Sequence, residues 1–307
     1  MTREDEIYYC KPVFRPPSEA FSLLIQVTEG CNYNCDFCMS NLGKKFLIRK
    51  SKDIQKDLDV AKKIYGPNIK KIFFLDGNAM VTPTEKLIEI TKYAFEIFPY
   101  LERCGVYAHS KDILKKSDEQ LKTLFEAGIK IAYVGFESGS DALLDMVHKQ
   151  AHKSDHINAS KKLMKAGIIL SATLINGLGG SNNPEISKNH ALESADLVNK
   201  ICPGDDRVWY IAFLTLMVPS GTEIFRKKIK GEFKEMTSIE ILQELKMFIN
   251  MINFQNKEAN CVFRSNHASN YLPIKGVLDR EKGEILSTIN YGLTHKNILR
   301  PEFYRGL

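Results

Sequence analysis

The chain has 307 residues, of which 44% are hydrophobic and 26% charged, and its net charge is +6 at neutral pH. This length allows one large α/β domain or two smaller ones, and the composition is ordinary for a globular protein. No run approaches the ~18 apolar residues of a membrane span, and no basic patch with interleaved aromatic residues indicates nucleic acid binding. The charged start lacks the apolar segment of a signal peptide, so we expect a cytoplasmic protein.

The pattern along the chain predicts strands alternating with helices after an irregular, proline-containing extension at residues 1–20. The predicted strands are 21–27, 71–75, 105–108, 130–136, 168–175 and 207–216, and the predicted helices are 53–65, 84–98, 117–127, 142–147, 154–165, 184–201 and 239–252. The strands are mostly apolar, as parallel strands covered on both faces are. Six strand–helix units predict a parallel α/β sheet. Periodicity does not distinguish a doubly wound sheet from a partial barrel.

Three cysteines, Cys31, Cys35 and Cys38, follow directly after the first predicted strand. Three thiolates within eight residues suit zinc or an iron–sulfur cluster. They suit a disulfide poorly, because the loop is short and the number is odd. Most cysteine-ligated clusters use four cysteines, so three leave one metal position open for another ligand. The remaining cysteines are scattered, and we expect ordinary thiols at Cys10, Cys104, Cys202 and Cys261.

The Cys-x3-Cys-x2-Cys spacing, with Phe37 before the last cysteine, resembles that of the radical S-adenosylmethionine (radical SAM) enzymes. The resemblance implies an α/β fold with a partial (β/α)6 barrel at residues 21–255, closed by a C-terminal segment at 256–307. It also implies that the three cysteines hold a [4Fe–4S] cluster, whose open iron binds the amino and carboxylate groups of SAM. Electron transfer from the cluster then yields a 5′-deoxyadenosyl radical, which abstracts hydrogen from a substrate.

Polar residues after the second and third strands are candidates for binding SAM, because functional residues of parallel barrels lie after the carboxyl ends of strands. By the resemblance, the turn after the second strand holds the SAM amino group in place of a Gly-Gly-Glu-like turn; a plain turn is the structural alternative. After the third strand, the histidine either orients a ligand or caps the next helix. The candidates in these two loops are Asp76, Gly77, Asn78, Tyr107, His109 and Ser110.

The loops after the next three strands extend this set. Residues 135–140 resemble the Gly-x-Glu-Ser-Gly-Ser run of the branch that includes methylthiotransferases, Elongator-type proteins and coproporphyrinogen-oxidase-like enzymes. The resemblance implies that its carboxylate lies near the SAM methionine or ribose, and that the following two loops lie beside the adenine and ribose. The structural alternatives are a helix cap, a flexible loop and core packing. The candidates are Glu137, Ser138, Asn176, Gly177, Met217 and Val218.

A dense polar stretch at residues 263–273 is the last candidate. Arg264 is available to an anionic group, and His267 is suited to proton transfer near neutral pH. We expect this stretch to present substrate-binding groups; a hydrogen-bonded structural turn is the alternative. Residues 279–307 are predicted to be a closing helix and a tail without an assigned role.

The sequence therefore predicts a radical SAM enzyme that acts on a small organic molecule and receives electrons from a reductase such as flavodoxin or ferredoxin. Beyond residue 200 only Cys202 and Cys261 are present, too few for an auxiliary cluster. The reaction class is open between oxidoreductase, lyase and transferase. The alternative is a non-catalytic zinc or iron–sulfur protein that serves as a cluster or cofactor scaffold.

Overall fold

The computed structural model describes residues 6–306. They form two compact units. The first contains the described residues up to Tyr33, together with Ser40–Val134 and Lys161–Leu170. The second contains Asn34–Met39, Gly135–Ser160 and the described residues from Ser171 onward.

The first unit alternates strands and helices along the chain. Its elements are β1 (Leu23–Gln26), β2 (Thr28–Glu29), β3 (Leu47–Ile48), α1 (Ser51–Tyr65), β4 (Lys71–Leu75), α2 (Thr84–Ile97), β5 (Arg103–Ala108), α3 (Ser110–Lys115), α4 (Asp118–Ala127) and most of β6 (Ile129–Glu137). Strand β4 pairs in parallel with β1 and β5, and β5 pairs in parallel with β6. The carboxyl ends of these strands therefore point the same way. Strands β2 and β3 form a separate antiparallel pair.

The apolar pattern of this unit explains its elements. Strand β4 is fully buried from Ile72 to Leu75, which accounts for its uninterrupted apolar sequence. Helix α1 buries Ile54, Leu58 and Ala61, whose spacing places them on one helical face. The predicted strand and helix at these positions are confirmed.

The second unit continues the alternation and ends in an antiparallel pair. Its elements are α5 (Asp141–Met146), α6 (Lys153–Lys165), β7 (Ile169–Asn176), α7 (Pro184–Lys200), β8 (Val208–Thr215), α8 (Glu223–Ile229), α9 (Ser238–Met251), β9 (Asn260–Ser265), β10 (Ile274–Val277) and α10 (Lys282–Thr294). The part of α6 after Ser160 and the part of β7 before Ser171 belong to the first unit. Strand β8 pairs in parallel with β7 and β9, whereas β10 pairs antiparallel with β9.

The six predicted strands and seven predicted helices are present with shifts of one or two residues at most ends. The short helices α3 and α8, of six and seven residues, were not predicted. Strand β9 was also missed. It buries Cys261, Phe263 and Ser265 alternately, and a serine in the buried set hides the period of two. Within residues 6–306, no helix has the length and apolar character that crossing a bilayer requires.

Candidate cofactor site

The three motif cysteines lie on the loop after β2. All three are half-buried, and none forms a disulfide. The amide of Cys38 donates a hydrogen bond to the carbonyl of Cys35 over 3.0 Å, which closes a turn between them. Soft thiolates of this number and spacing fit an iron–sulfur cluster, in which each cysteine binds a different iron atom. Among residues 6–306, no group of three or more His, Cys, Asp or Glu side chains is arranged to hold a metal ion.

In the first unit, the turn after β4 contacts the residues that lead into the cysteine loop. The Asp76 carboxylate accepts hydrogen bonds from the Gly30 amide (3.2 Å) and the Gln26 side chain (3.1 Å), and it pairs with Lys44 at 2.5 Å. Burial raises the pKa of Asp76, and Lys44 opposes that rise. The Asp76 carboxylate is therefore engaged within the protein, where it holds the backbone immediately before Cys31.

Gly77 allows a close approach between this turn and the cysteine loop. A Cβ atom at position 77 would lie 3.1 Å from Cβ of Cys31 and 3.0 Å from Oδ1 of Asn41. Both separations are tighter than side chains normally tolerate, so a larger residue would displace Cys31 or Asn41. Packing therefore disfavours a larger residue at position 77, which is compatible with the predicted recognition of a ligand by the backbone.

Asp112, which the sequence did not single out, organises the next part of the first unit. Its Oδ2 atom accepts hydrogen bonds from Asn78 (2.7 Å), from the Tyr33 hydroxyl (2.9 Å) and from Asn32 (3.4 Å). Burial alone would raise the pKa of Asp112, but hydrogen bonds, with that from Lys115 the strongest, hold the pKa below its usual value. Asp112 is thus a carboxylate that fixes the segment immediately after Cys31.

The predicted candidates after β5 have structural roles in this unit. The His109 ring stacks on Tyr33 at a centroid distance of 3.7 Å, and its Nδ1 atom caps α3. The Tyr107 ring meets Phe73 edge to face at 4.8 Å. Ser110 is buried as the first residue of α3. The capping alternative for His109 is therefore observed, and its stacking places the ring beside the cysteine loop.

In the second unit, Glu137 ends β6 as a buried carboxylate. It is 8% exposed and has a positive φ of 64°. Lys149 forms an ion pair with it at 2.9 Å, which gives the buried charge the partner that it needs. A Cβ atom at Gly135 would lie 2.0 Å from the Glu137 carboxylate, so a side chain at position 135 would displace that carboxylate. Lys149 lies twelve positions from Glu137 along the chain, and no local pattern marked it as a partner.

Ser138 belongs to a buried polar cluster with helix α7. Its hydroxyl lies 2.8 Å from Nδ1 of His190, and Ser194 of the same helix accepts a hydrogen bond of 2.8 Å from the Gly139 amide. Burial lowers the pKa of His190 to about 4. His190 is therefore neutral near pH 7 and orients the loop after β6 through uncharged hydrogen bonds.

Asn176 ends β7, and Gly177 directly after it contacts a buried carboxylate of helix α9. The Gly177 amide donates to Oε1 of Glu244 over 2.7 Å, and Ser187 hydrogen-bonds to Oε2. The Asn176 side-chain oxygen is buried and has no hydrogen-bond partner in the part of the chain that the structure describes. Such atoms are rare in native proteins and call for a ligand or ordered water. Asn176 is therefore the predicted candidate with the clearest unmet hydrogen-bonding capacity.

Replacing Glu244 with glutamine should remove a pH-dependent loss of stability. Burial raises the pKa of Glu244 to about 7 from its ordinary 4.5. The folded state thus holds this proton more tightly than the unfolded state, so the stabilisation is complete below pH 4.5 and is lost as the pH rises through 7. This corresponds to about 3 kcal/mol. Urea unfolding of wild type and E244Q between pH 4.5 and 8 measures it; a difference in free energy of unfolding that is constant with pH contradicts the prediction.

The remaining SAM candidates, Met217 and Val218, are half-buried after β8. Val218 packs against an apolar cluster of the second unit, as does Phe37 of the cysteine motif. The buried members of this cluster are Leu143, Val147, Ile175, Leu178, Leu216, Ile224 and Phe233. A cleft of about 180 Å³ lies beside it and is lined in part by Val147, Leu178 and Phe233.

Arg264 and His267 lie at and after the carboxyl end of β9. Arg264 is exposed, and its guanidinium lies 5.6 Å from the centre of the Tyr210 ring. The His267 Nδ1 atom accepts a hydrogen bond from the Ser269 amide (3.1 Å), so the neutral ring carries its proton on Nε2. Burial, assisted by the charge of Arg300, lowers the pKa of His267. Only its Nε2 atom is therefore placed to exchange a hydrogen bond with a ligand.

The tail predicted without a role holds the loop at residues 267–271. Arg305 donates to the carbonyls of Ser269 (2.7 Å) and Leu216 (2.8 Å) and to the Tyr271 hydroxyl (2.7 Å). Arg300 donates to three more carbonyls of this loop, with distances between 2.5 and 3.2 Å. Arg300 and Arg305 of the tail therefore hold the backbone of the loop at residues 267–271.

A sequence model of the radical SAM superfamily matches residues 25–190. The chain is 25% identical over 168 residues to the uncharacterized methyltransferase PH0819 of Pyrococcus horikoshii (53% of this chain, 34% of that protein). It is 24% identical over 242 residues to the sporulation killing factor maturation protein SkfB of Bacillus subtilis (78% and 54%). The chain thus spans from about a third to about half of these relatives.

Among solved structures, coproporphyrinogen III oxidase (HemN) from Escherichia coli superposes with a TM-score of 0.55 at 15% identity. The superposition covers 75% of this chain and 52% of that protein. At this identity the likeness concerns the fold.

Proposed function

Because the chain belongs to the radical SAM superfamily, we propose that Cys31, Cys35 and Cys38 hold its [4Fe–4S] cluster and that it abstracts hydrogen from a small organic substrate. The observation that supports this is the family match over more than half of the chain, which includes the cysteine loop. The fold is the partial (β/α)6 barrel of the family, as predicted, and the cofactors of the family are the cluster and SAM. The division of the chain into an extension, a barrel domain and a closing segment, with boundaries after residues 20 and 255, remains a prediction.

The cluster and SAM, when bound, supply a 5′-deoxyadenosyl radical. The chain's part is to hold and orient them. Three thiolates would leave one iron open, and the backbone of the Gly77 turn, which lies close to Cys31, is suited to the SAM amino group. The Asn176 oxygen, which has no hydrogen-bond partner among residues 6–306, would accept a hydrogen bond from a polar ligand group. Lys149, paired with Glu137, is a buried cation suited to a ligand carboxylate.

The proposed substrate is a small molecule that carries a carboxylate or another anionic group. The exposed Arg264 guanidinium supports this, because it binds planar anions in a bidentate manner. His267 supplies an Nε2–H donor within a loop held by the tail. A reductase of the flavodoxin or ferredoxin type is the proposed electron donor, since enzymes of this family need one.

The test of this proposal is anaerobic reconstitution of the purified chain with iron and sulfide. We expect about four irons per chain and formation of 5′-deoxyadenosine from SAM when dithionite is added. Zinc in place of iron, or a cluster that forms no 5′-deoxyadenosine, contradicts the proposal and favours a metal-binding scaffold. Stimulation of 5′-deoxyadenosine formation by pools of carboxylated metabolites, compared with pools of peptides, then tests the substrate class.

Arg264→Ala should lower substrate turnover at least ~10-fold, because loss of a charge-assisted contact to an anion costs about 1.5–3 kcal/mol. Uncoupled cleavage of SAM by dithionite should stay within about twofold of wild type, since Arg264 contacts the substrate and not SAM. Lys275→Ala is the matched control, because Lys275 is exposed and lies opposite Arg264 in the register of β9 and β10. Equal losses of turnover in both variants would show that Arg264 has no specific role.

A further inference from the structure

Asp36 lies between two of the motif cysteines and is held on both sides of its backbone. Its amide donates to the carbonyl of Val147, and its carbonyl accepts from the amide of Ile224, each over 3.0 Å. Val147 follows helix α5 and Ile224 lies in helix α8, so two segments distant in sequence contact one residue of the loop. Backbone hydrogen bonds of this kind restrict the conformation of Asp36 directly.

The Asp36 side chain is held as firmly as its backbone. One carboxylate oxygen lies 2.7 Å from Nδ1 of His148 and the other lies 2.6 Å from Nζ of Lys227. Lys227 also donates to the carbonyl of Met146 over 3.2 Å. Asp36 is only 6% exposed, and a buried carboxylate is tolerated only with such partners. All four hydrogen-bonding groups of the residue are therefore satisfied within the second unit.

The neighbouring residue adds an apolar contact. Phe37 packs against the apolar cluster that contains Val147 and Ile224, the same two residues that hold the Asp36 backbone. Polar and apolar contacts thus fix two consecutive residues between Cys35 and Cys38. All of these contacts are made by the chain itself, so they restrain the backbone that carries the two thiols.

We propose that Asp36 is a positioning residue that presets the segment from Cys35 to Cys38 for the cluster, through its contacts with Lys227 and His148. The inference rests on the proposed function, because that function makes these cysteines ligands. Preorganisation of this kind lowers the ordering cost of binding, and side chains that orient metal ligands contribute measurably to metal retention. Asp36 itself is not a ligand in this proposal.

The experiment compares the full chain carrying Asp36→Ala or Lys227→Met with matched controls. Asp145→Ala removes an exposed aspartate that also has a histidine partner, and Lys228→Met removes the neighbouring lysine, which pairs with Glu235. In the iron-free chain, the rate of alkylation by iodoacetamide is followed at each cysteine by mass spectrometry. In the reconstituted chain, the rate of iron loss to a chelator is measured.

We expect D36A to be alkylated at Cys35 and Cys38, and to lose iron, about 10-fold faster than wild type. K227M should show a smaller increase, and both controls should stay within about twofold. Alkylation of the buried Cys104 and Cys261 should not change, which separates local release from unfolding.

Wild-type rates in both D36A and K227M would overturn the inference. Faster alkylation at Cys104 and Cys261 as well would overturn it too, because the effect would then be global. If wild type binds no cluster, the proposed function fails, whereas the alkylation rates in the iron-free chain still decide whether Asp36 restrains the segment.

Discussion

Cys35→Ala should abolish both the cluster and the reductive cleavage of SAM. In the proposed assignment the three cysteines are the cluster ligands and the fourth iron binds SAM, so every thiolate is needed. Replacing even a residue that only orients a metal ligand lowers affinity about 10–100-fold, so loss of a ligand should cost at least ~100-fold. Iron and sulfide content, the electron paramagnetic resonance signal after dithionite and the yield of 5′-deoxyadenosine measure the effect.

The control for this prediction is Cys202→Ala. Cys202 is half-buried like Cys35 but lies outside the motif, so its loss should leave iron content and SAM cleavage within about twofold of wild type. Retention of SAM cleavage in C35A would contradict the assignment of the cysteine loop. Equal losses in both variants would indicate general damage to the fold.

Arg305→Ala should lower the free energy of unfolding by about 3 kcal/mol, because it leaves buried hydrogen-bonding groups without partners. The Arg305 side chain is 2% exposed, and its guanidinium lies 4.2 Å from the centre of the Tyr271 ring. Its removal leaves the carbonyls of Ser269 and Leu216 without this donor. Urea unfolding of the iron-free chain measures the loss, and faster proteolysis within residues 267–271 would locate it.

The matched control is Arg207→Ala. Arg207 pairs with Asp205 at the surface, and exposed ion pairs contribute at most about 1 kcal/mol. A loss in R305A no larger than that in R207A would mean that Arg305 does not stabilise the loop at residues 267–271.

The sequence predictions missed residues whose partners lie far away along the chain. Asp112 was missed because its partners Asn32 and Asn78 lie 80 and 34 positions away, and no local pattern links them. Glu244 was missed for the same reason, since it contacts Gly177 over 67 positions. Asp76 stays a predicted cofactor residue through the backbone of its turn, while its carboxylate is engaged by Lys44 and the Gly30 amide. The assignment of the cysteines as ligands stays a prediction.

The sequence by itself determined the features that depend on neighbouring residues. The spacing of Cys31, Cys35 and Cys38 places three thiols on one short loop. The uninterrupted apolar run of β4 and the apolar period of α1 specify a strand and a helix through local burial. Tertiary structure alone decided which groups hold that loop. Asp36 meets Lys227 across 191 positions, and such a pair forms only once folding has brought the segments together. A motif of neighbouring residues can therefore be recognised in the sequence, whereas the contacts that position its side chains become known only from the tertiary structure.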